Sequence, residues 1–103
     1  MKWIEVVLLR AAEKNQKILE TRLKQLVRGM SRESGQRRII VYRRVMVPMD
    51  YSIHIIHNGE EAENAGSPLG LQLTAALKEF GLVNHSIWKD ATPQFDIQEE
   101  VEK

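Results

Sequence analysis

The stretch Ile39-Ile40-Val41-Tyr42-Arg43-Arg44-Val45-Met46-Val47, followed by Pro48-Met49-Asp50 and then Tyr51-Ser52-Ile53-His54-Ile55-Ile56-His57, decides the fold. Two runs rich in β-branched and aromatic residues are separated by three residues that include a proline, so both runs predict strands. A connection this short joins antiparallel neighbours only. Residues 39–47 and 51–57 are therefore expected to form a hairpin at the middle of the chain.

Upstream, residues 3–10, Trp3-Ile4-Glu5-Val6-Val7-Leu8-Leu9-Arg10, predict another strand. Glu5 and Arg10 interrupt an apolar run too short for the core of a signal peptide. From residue 11 to about residue 28 the period lengthens, with Ala12, Leu19, Leu23, Leu26, Val27 and Met30 at three- and four-residue spacings, as in an amphipathic helix. Glu20 with Lys24 is an i,i+4 pair in the favourable order. Gly29 and Ser31-Arg32-Glu33-Ser34-Gly35 predict its end and a loop. Downstream, Asn58-Gly59 opens an acidic loop. Ser67-Pro68 then predicts a helix start, because serine caps free amides and proline at the first helical position loses no hydrogen bond. Leu69, Leu73, Ala76, Leu77 and Phe80 give that helix its apolar stripe. Gly81 is expected as a left-handed stop with Leu82 as the hydrophobic contact beyond it, and residues 85–89 as a last strand. Residues 1–92 make one domain, and residues 93–103 an acidic tail.

The order is strand, helix, strand, strand, helix, strand: an α+β, ferredoxin-like βαββαβ domain. Right-handed crossovers give a four-stranded antiparallel sheet of order 4-1-3-2 with both helices on one face. The reading places Ile4, Val6, Leu8, Ile53 and Ile55 against the helices, and Trp3, Glu5, Val7, Leu9, Ser52, His54 and Ile56 on the open face. So apolar an open face exceeds what soluble monomers expose, and a homodimer is the expected cover.

Composition agrees with a single folded domain: 103 residues, 43 % hydrophobic and 28 % charged, lie far from the disordered range. With no cysteine, disulfides, thiolate metal sites and thiol nucleophiles are excluded, which suits a cytoplasmic location. No apolar run approaches the roughly 18 residues of a membrane span. Residues 1–50 hold 12 Lys/Arg against 5 Asp/Glu, and residues 51–103 hold 3 against 9, so the halves carry about +7 and −6. That split reads as complementary patches for self-association before it reads as a nucleic-acid surface.

The element order over residues 3–90, with the run Ser67-Pro68-Leu69-Gly70-Leu71 through Phe80-Gly81-Leu82-Val83-Asn84-His85-Ser86-Ile87-Trp88, resembles the dimeric α/β-barrel superfamily. Its members include antibiotic-biosynthesis monooxygenases, stress-responsive barrel proteins and muconolactone-isomerase-like enzymes. The resemblance implies two subunits packed sheet to sheet and a ligand pocket between sheet and helices or near the dimer barrel. Its cofactor-independent monooxygenases surround an aromatic substrate with polar Asn, Trp and Arg side chains. Asn84, Trp88, Trp3, Arg43 and Arg44 are of those types, but no motif maps them onto those roles, and no catalytic residue is carried over. Amino-acid-sensing domains share the topology, but the Asp-x-x-Gly-like turn after their first strand is absent at Arg10-Ala11-Ala12-Glu13.

Several residues invite chemistry. Glu5 and His54, expected together on the open face, are the candidate acid–base pair; the competing reading is a polar bridge at the dimer seam. Arg43 and Arg44 point to opposite sheet faces and could clamp an anion, or simply pair with a local acid. Trp3 and Trp88 could wall an aromatic pocket or anchor the interface, and His85 is a further ligand-binding candidate. His54 and His57 are three apart in a strand and fall on opposite faces, which disfavours a shared metal. No cofactor is expected. Strand 3 lacks the aromatic pattern with which this topology binds RNA, which disfavours nucleic acid. The expected function is a small dimeric enzyme of the monooxygenase-like kind, or a binding protein for an aromatic or carbonyl-bearing molecule; the alternative is a non-enzymatic assembly module.

Overall fold

The computed structural model describes residues 2–12, 14–33, 38–58 and 65–95. The elements are β1 (Lys2–Ala11), α1 (Gln16–Glu33), β2 (Arg38–Arg43), β3 (Asp50–Asn58), α2 (Pro68–Leu77) and β4 (Gly81–Lys89), closed by a 3-10 turn at Thr92–Phe95. Every strand pairing is antiparallel, and the order across the sheet is β2-β3-β1-β4. Read from the β4 edge, it is the predicted 4-1-3-2. No described helix is long and apolar enough to cross a membrane.

Both helices cover one face. Leu19, Leu23 and Met30 of α1 and Leu69, Leu73 and Leu77 of α2 share one core with Val7, Leu9, Tyr51, Ile53 and Ile55 of the sheet. The expected sidedness of β1 is thereby corrected. Trp3, Glu5, Val7 and Leu9 face the helices, while Ile4, Val6 and Leu8 lie on the open side. The register explains why: directly opposed residues of an antiparallel pair share a face, and Val7 sits opposite Ile53 while Glu5 sits opposite Ile55. The interface residues first inferred from Trp3, Val7 and Leu9 are thus core residues.

Element ends also move. Asn15 caps α1, its Oδ1 accepting from the amides of Lys17 and Ile18 at 3.1 and 3.2 Å, so α1 starts later than predicted and runs through Gly29 to Glu33. Glu20 turns away from Lys24 to bond Arg43, Tyr51 and Gln16. β2 stops at Arg43, and the reversal occupies residues 44–49, with Met46 at φ 70°. Ser67 caps α2 as expected and Pro68 opens it. Gly81 starts β4 and has no positive φ. Its need is space instead: a Cβ there would lie 2.9 Å from the Ala11 Cα, against the β1 backbone. Leu82 is 74 % exposed on the open face and makes no cap contact. The acidic segment 59–64 and the tail from residue 96 lie outside the described residues.

Candidate functional site

The most unusual chemistry lies beneath α2. Strand alternation sends Glu5 of β1, His57 of β3 and His85 of β4 to the helix side, and the α2 cap brings Ser67 onto them. The Glu5 carboxylate is fully buried, as is His57. Glu5 Oε1 accepts from His57 Nε2 at 2.7 Å and from the Ser67 hydroxyl, and Glu5 Oε2 lies 2.8 Å from His85 Nε2. The same Ser67 oxygen accepts the Gly70 amide at 3.0 Å. Both imidazoles therefore donate through Nε2 to an ionised carboxylate.

The sequence makes room for this hub. A Cβ at Gly70 would fall on the carboxylate, 2.6 Å from Glu5 Cδ, and one at Gly66 would lie 2.8 Å from Glu5 Oε2. Gly66 also adopts φ 95°, which favours glycine. Trp3 stacks on His57, ring centroids 3.9 Å apart and planes 13° from parallel. Burial by itself pushes the Glu5 carboxyl up, but the hydrogen bonds from Ser67, His85 and His57 outweigh it and hold it below the ordinary glutamate range. With the His85 side chain 13 % exposed and those of Glu5 and His57 fully enclosed, solvent reaches the three acid–base groups only at His85. The arrangement is a buried carboxylate held by three side-chain donors. It does not gather three ligands around a metal, and no metal-competent cluster occurs among the described residues. Nor is it a serine nucleophile site, because the Ser67 proton goes to Glu5 and not to a histidine base.

The expected Glu5–His54 pair does not exist. His54 is on the open face, 2.9 Å from Ser52 Oγ and beside the Tyr42 ring, whereas Glu5 is on the helix face. The residues that Glu5 does meet were legible in part. His57 follows Ile53 and Ile55 at strand period, so its side was readable, but nothing local in β4 or before α2 announced that His85 and Ser67 converge on the same carboxylate.

The arginines also separate. Arg43 bonds Glu20 at 3.0 Å on the helix side, and Glu20, held by Tyr51, Gln16 and Arg43, titrates below the usual range. Arg44 has left the strand and pairs with Asp50 at 3.3 Å, where Arg10 joins at 3.5 Å. Neither is buried, because β2 is an edge strand that ends at Arg43. Trp88 is exposed on the open face, its indole N–H donating to Ser86. Trp3, expected beside it, is in the core.

A hollow of about 510 Å³ opens at the Arg44 end of the open face. Leu8, Tyr42 and Leu82 supply apolar walls, and Arg10, Arg44, Asp50, Ser52 and Asn84 supply polar groups. It contains none of Glu5, His54 and Trp88. Compared with protein-family models, curated proteins and solved structures, the chain matches none.

Proposed function

We propose that the protein is a small-molecule-binding domain completed by a second copy, the two open sheet faces meeting as in a dimeric α/β barrel. The observation that carries this reading is the apolar open face: Leu8, Tyr42, Leu82 and Trp88 are 46, 49, 74 and 58 % exposed, with Ile4, Val6, Ile40 and Ile56 between them. A contiguous patch of this kind marks an interaction surface. Its residues interleave with Ser52, His54 and Ser86, which a twofold copy can meet with the same groups.

The open-sided hollow then becomes the ligand site, since a facing copy closes it. Its volume lies within the roughly 300–1,000 Å³ of small-molecule sites, and its mixture of apolar walls with Arg44, Ser52 and Asn84 suits a small aromatic or carbonyl-bearing molecule. Asp50 is the one carboxylate among the lining residues, so a cofactor-independent, monooxygenase-like reaction here would use it as the base that prepares the substrate. The second reading, assembly without chemistry, is favoured by one observation: Asp50 already engages both Arg10 and Arg44. The cysteine-free chain suits a reducing compartment, and we place the protein in the cytoplasm.

Analytical ultracentrifugation at micromolar concentration tests the premise. The intact chain should sediment as a dimer and Leu8→Lys or Trp88→Lys as a monomer with unchanged circular dichroism. A monomeric wild type ends the proposal. Calorimetric titration with a small aromatic ketone separates the two readings: binding weakened by Asn84→Ala supports a ligand site, and no heat in the dimer leaves assembly alone.

A further inference from the structure

α1 does not reach the edge of the sheet that it covers. Val41 belongs to the helix-facing side of β2, directly opposite the fully buried Ile53, yet is 42 % exposed. The gap is a groove of about 410 Å³ between α1 and β2, floored by Leu23, Val27 and Val41. Its volume lies within the roughly 300–1,000 Å³ of small-molecule sites.

The rim carries unequal charge. Glu20 closes one end, and its carboxylate is matched by Arg43 at 3.0 Å and by the Tyr51 hydroxyl at 2.9 Å. Lys24 and Arg28 line the same groove, four residues apart and so on one side of the helix. Neither forms an ion pair with a described residue. The groove thus joins an apolar floor to two cations that have no ion-pair partner among the described residues. From the midpoint of Lys24 and Arg28 back to Glu20 the helix rises about 9 Å, the reach of a medium-length alkyl chain.

We propose that the α1–β2 groove binds a free medium-chain carboxylate, its alkyl chain along Leu23, Val27 and Val41 and its head group between Lys24 and Arg28. A guanidinium and an ammonium on one side of a carboxylate supply charge-assisted hydrogen bonds, while the recessed floor takes the chain from water. Because the apolar residues line a concavity and do not protrude, the occupant is a single molecule that enters it, not a bilayer surface.

Isothermal titration of the full chain with decanoate, below its micelle concentration, tests this. One site per chain is expected, with decanol and decyltrimethylammonium binding about tenfold more weakly or worse for lack of the charge-assisted head-group contact. The double variant Lys24→Glu/Arg28→Glu should lose affinity by a similar factor, and Val41→Trp should abolish binding by filling the floor. All these positions are exposed or partly exposed, and thermal melts confirm that each variant folds. Decanol binding as tightly as decanoate, affinity unchanged in the double variant, or association seen only with anionic vesicles would each overturn the proposal. Leu8→Lys and Asn84→Ala, which probe the open face, should leave decanoate binding unchanged, so the two sites stand or fall separately.

Discussion

On one side of this sheet Val7, Ile53 and Ile55 are completely buried, and even a glutamate is enclosed; on the other, Leu8, Tyr42, Leu82 and Trp88 keep about half or more of their surface in water. The same four strands supply both faces, and their apolar content is similar. The difference lies in where the polar groups find partners. Beneath α2, Glu5 receives three donors and two glycines clear space for it. On the open side, Ser52 and His54 bond each other, Ser86 accepts from Trp88, and the apolar residues between them find no helix. Beneath α2 the helix side is finished within one chain, whereas the open side is suited to completion by another molecule.

That contrast can be broken at the hub first. Glu5→Ala removes from a dry interior the carboxylate that His57, Ser67 and His85 share and leaves a cavity. Loss of one partner of a buried pair typically costs about 3–5 kcal/mol, and urea denaturation should show a loss of that size. A loss under about 1 kcal/mol, as for a surface site, would mean that the hub does not hold α2 to the sheet. Gly70→Ala keeps every polar group but drives a methyl into the carboxylate. Overpacking of this kind costs about 1–3 kcal/mol, and the melting temperature should fall accordingly.

Acid sharpens the same contrast. The folded-state pKa of Glu5 is depressed, so the unfolded chain binds the proton more readily. Its contribution is complete above the ordinary glutamate value and is lost as pH falls through the folded one. Denaturation midpoints should therefore drop on acidification below about pH 4.3, more steeply in the wild type than in Glu5→Gln. Parallel pH profiles would assign the acid sensitivity to other carboxylates. The smallest effect belongs to the open face: Leu82→Lys should change the stability of the isolated chain by no more than about 0.5 kcal/mol, while a sedimentation profile reports its effect on self-association.

Element order and strand order were readable because their signals are local: the short reversal around Pro48, the Ser67-Pro68 cap and the apolar periods of both helices. The sidedness of β1 was not. Both of its faces are apolar, and the charge in its middle, Glu5, reads as a mark of the exposed side by every local rule. What reverses it is a set of donors 52 to 80 residues away, which no window of sequence contains. Gly81 was misread for a related reason. A helix followed by glycine signals a stop, but the demand on this glycine comes from the β1 backbone beside it. Around Glu5, pairing of the carboxylate with His54 followed from the misplaced face, whereas the residues that it meets are His57, Ser67 and His85.

The position of β1 has a bearing on how the chain comes to fold. It is a central strand, and both of its neighbours, β3 and β4, follow it in the chain. Until residue 58 has emerged β1 has no hydrogen-bonding partner, and until residue 89 it has only one. Pairings so distant along the chain close slowly and leave apolar strand surface exposed to aggregation in the meantime. The Glu5 contacts to His57 and His85 reward only the arrangement in which both late strands have reached their places.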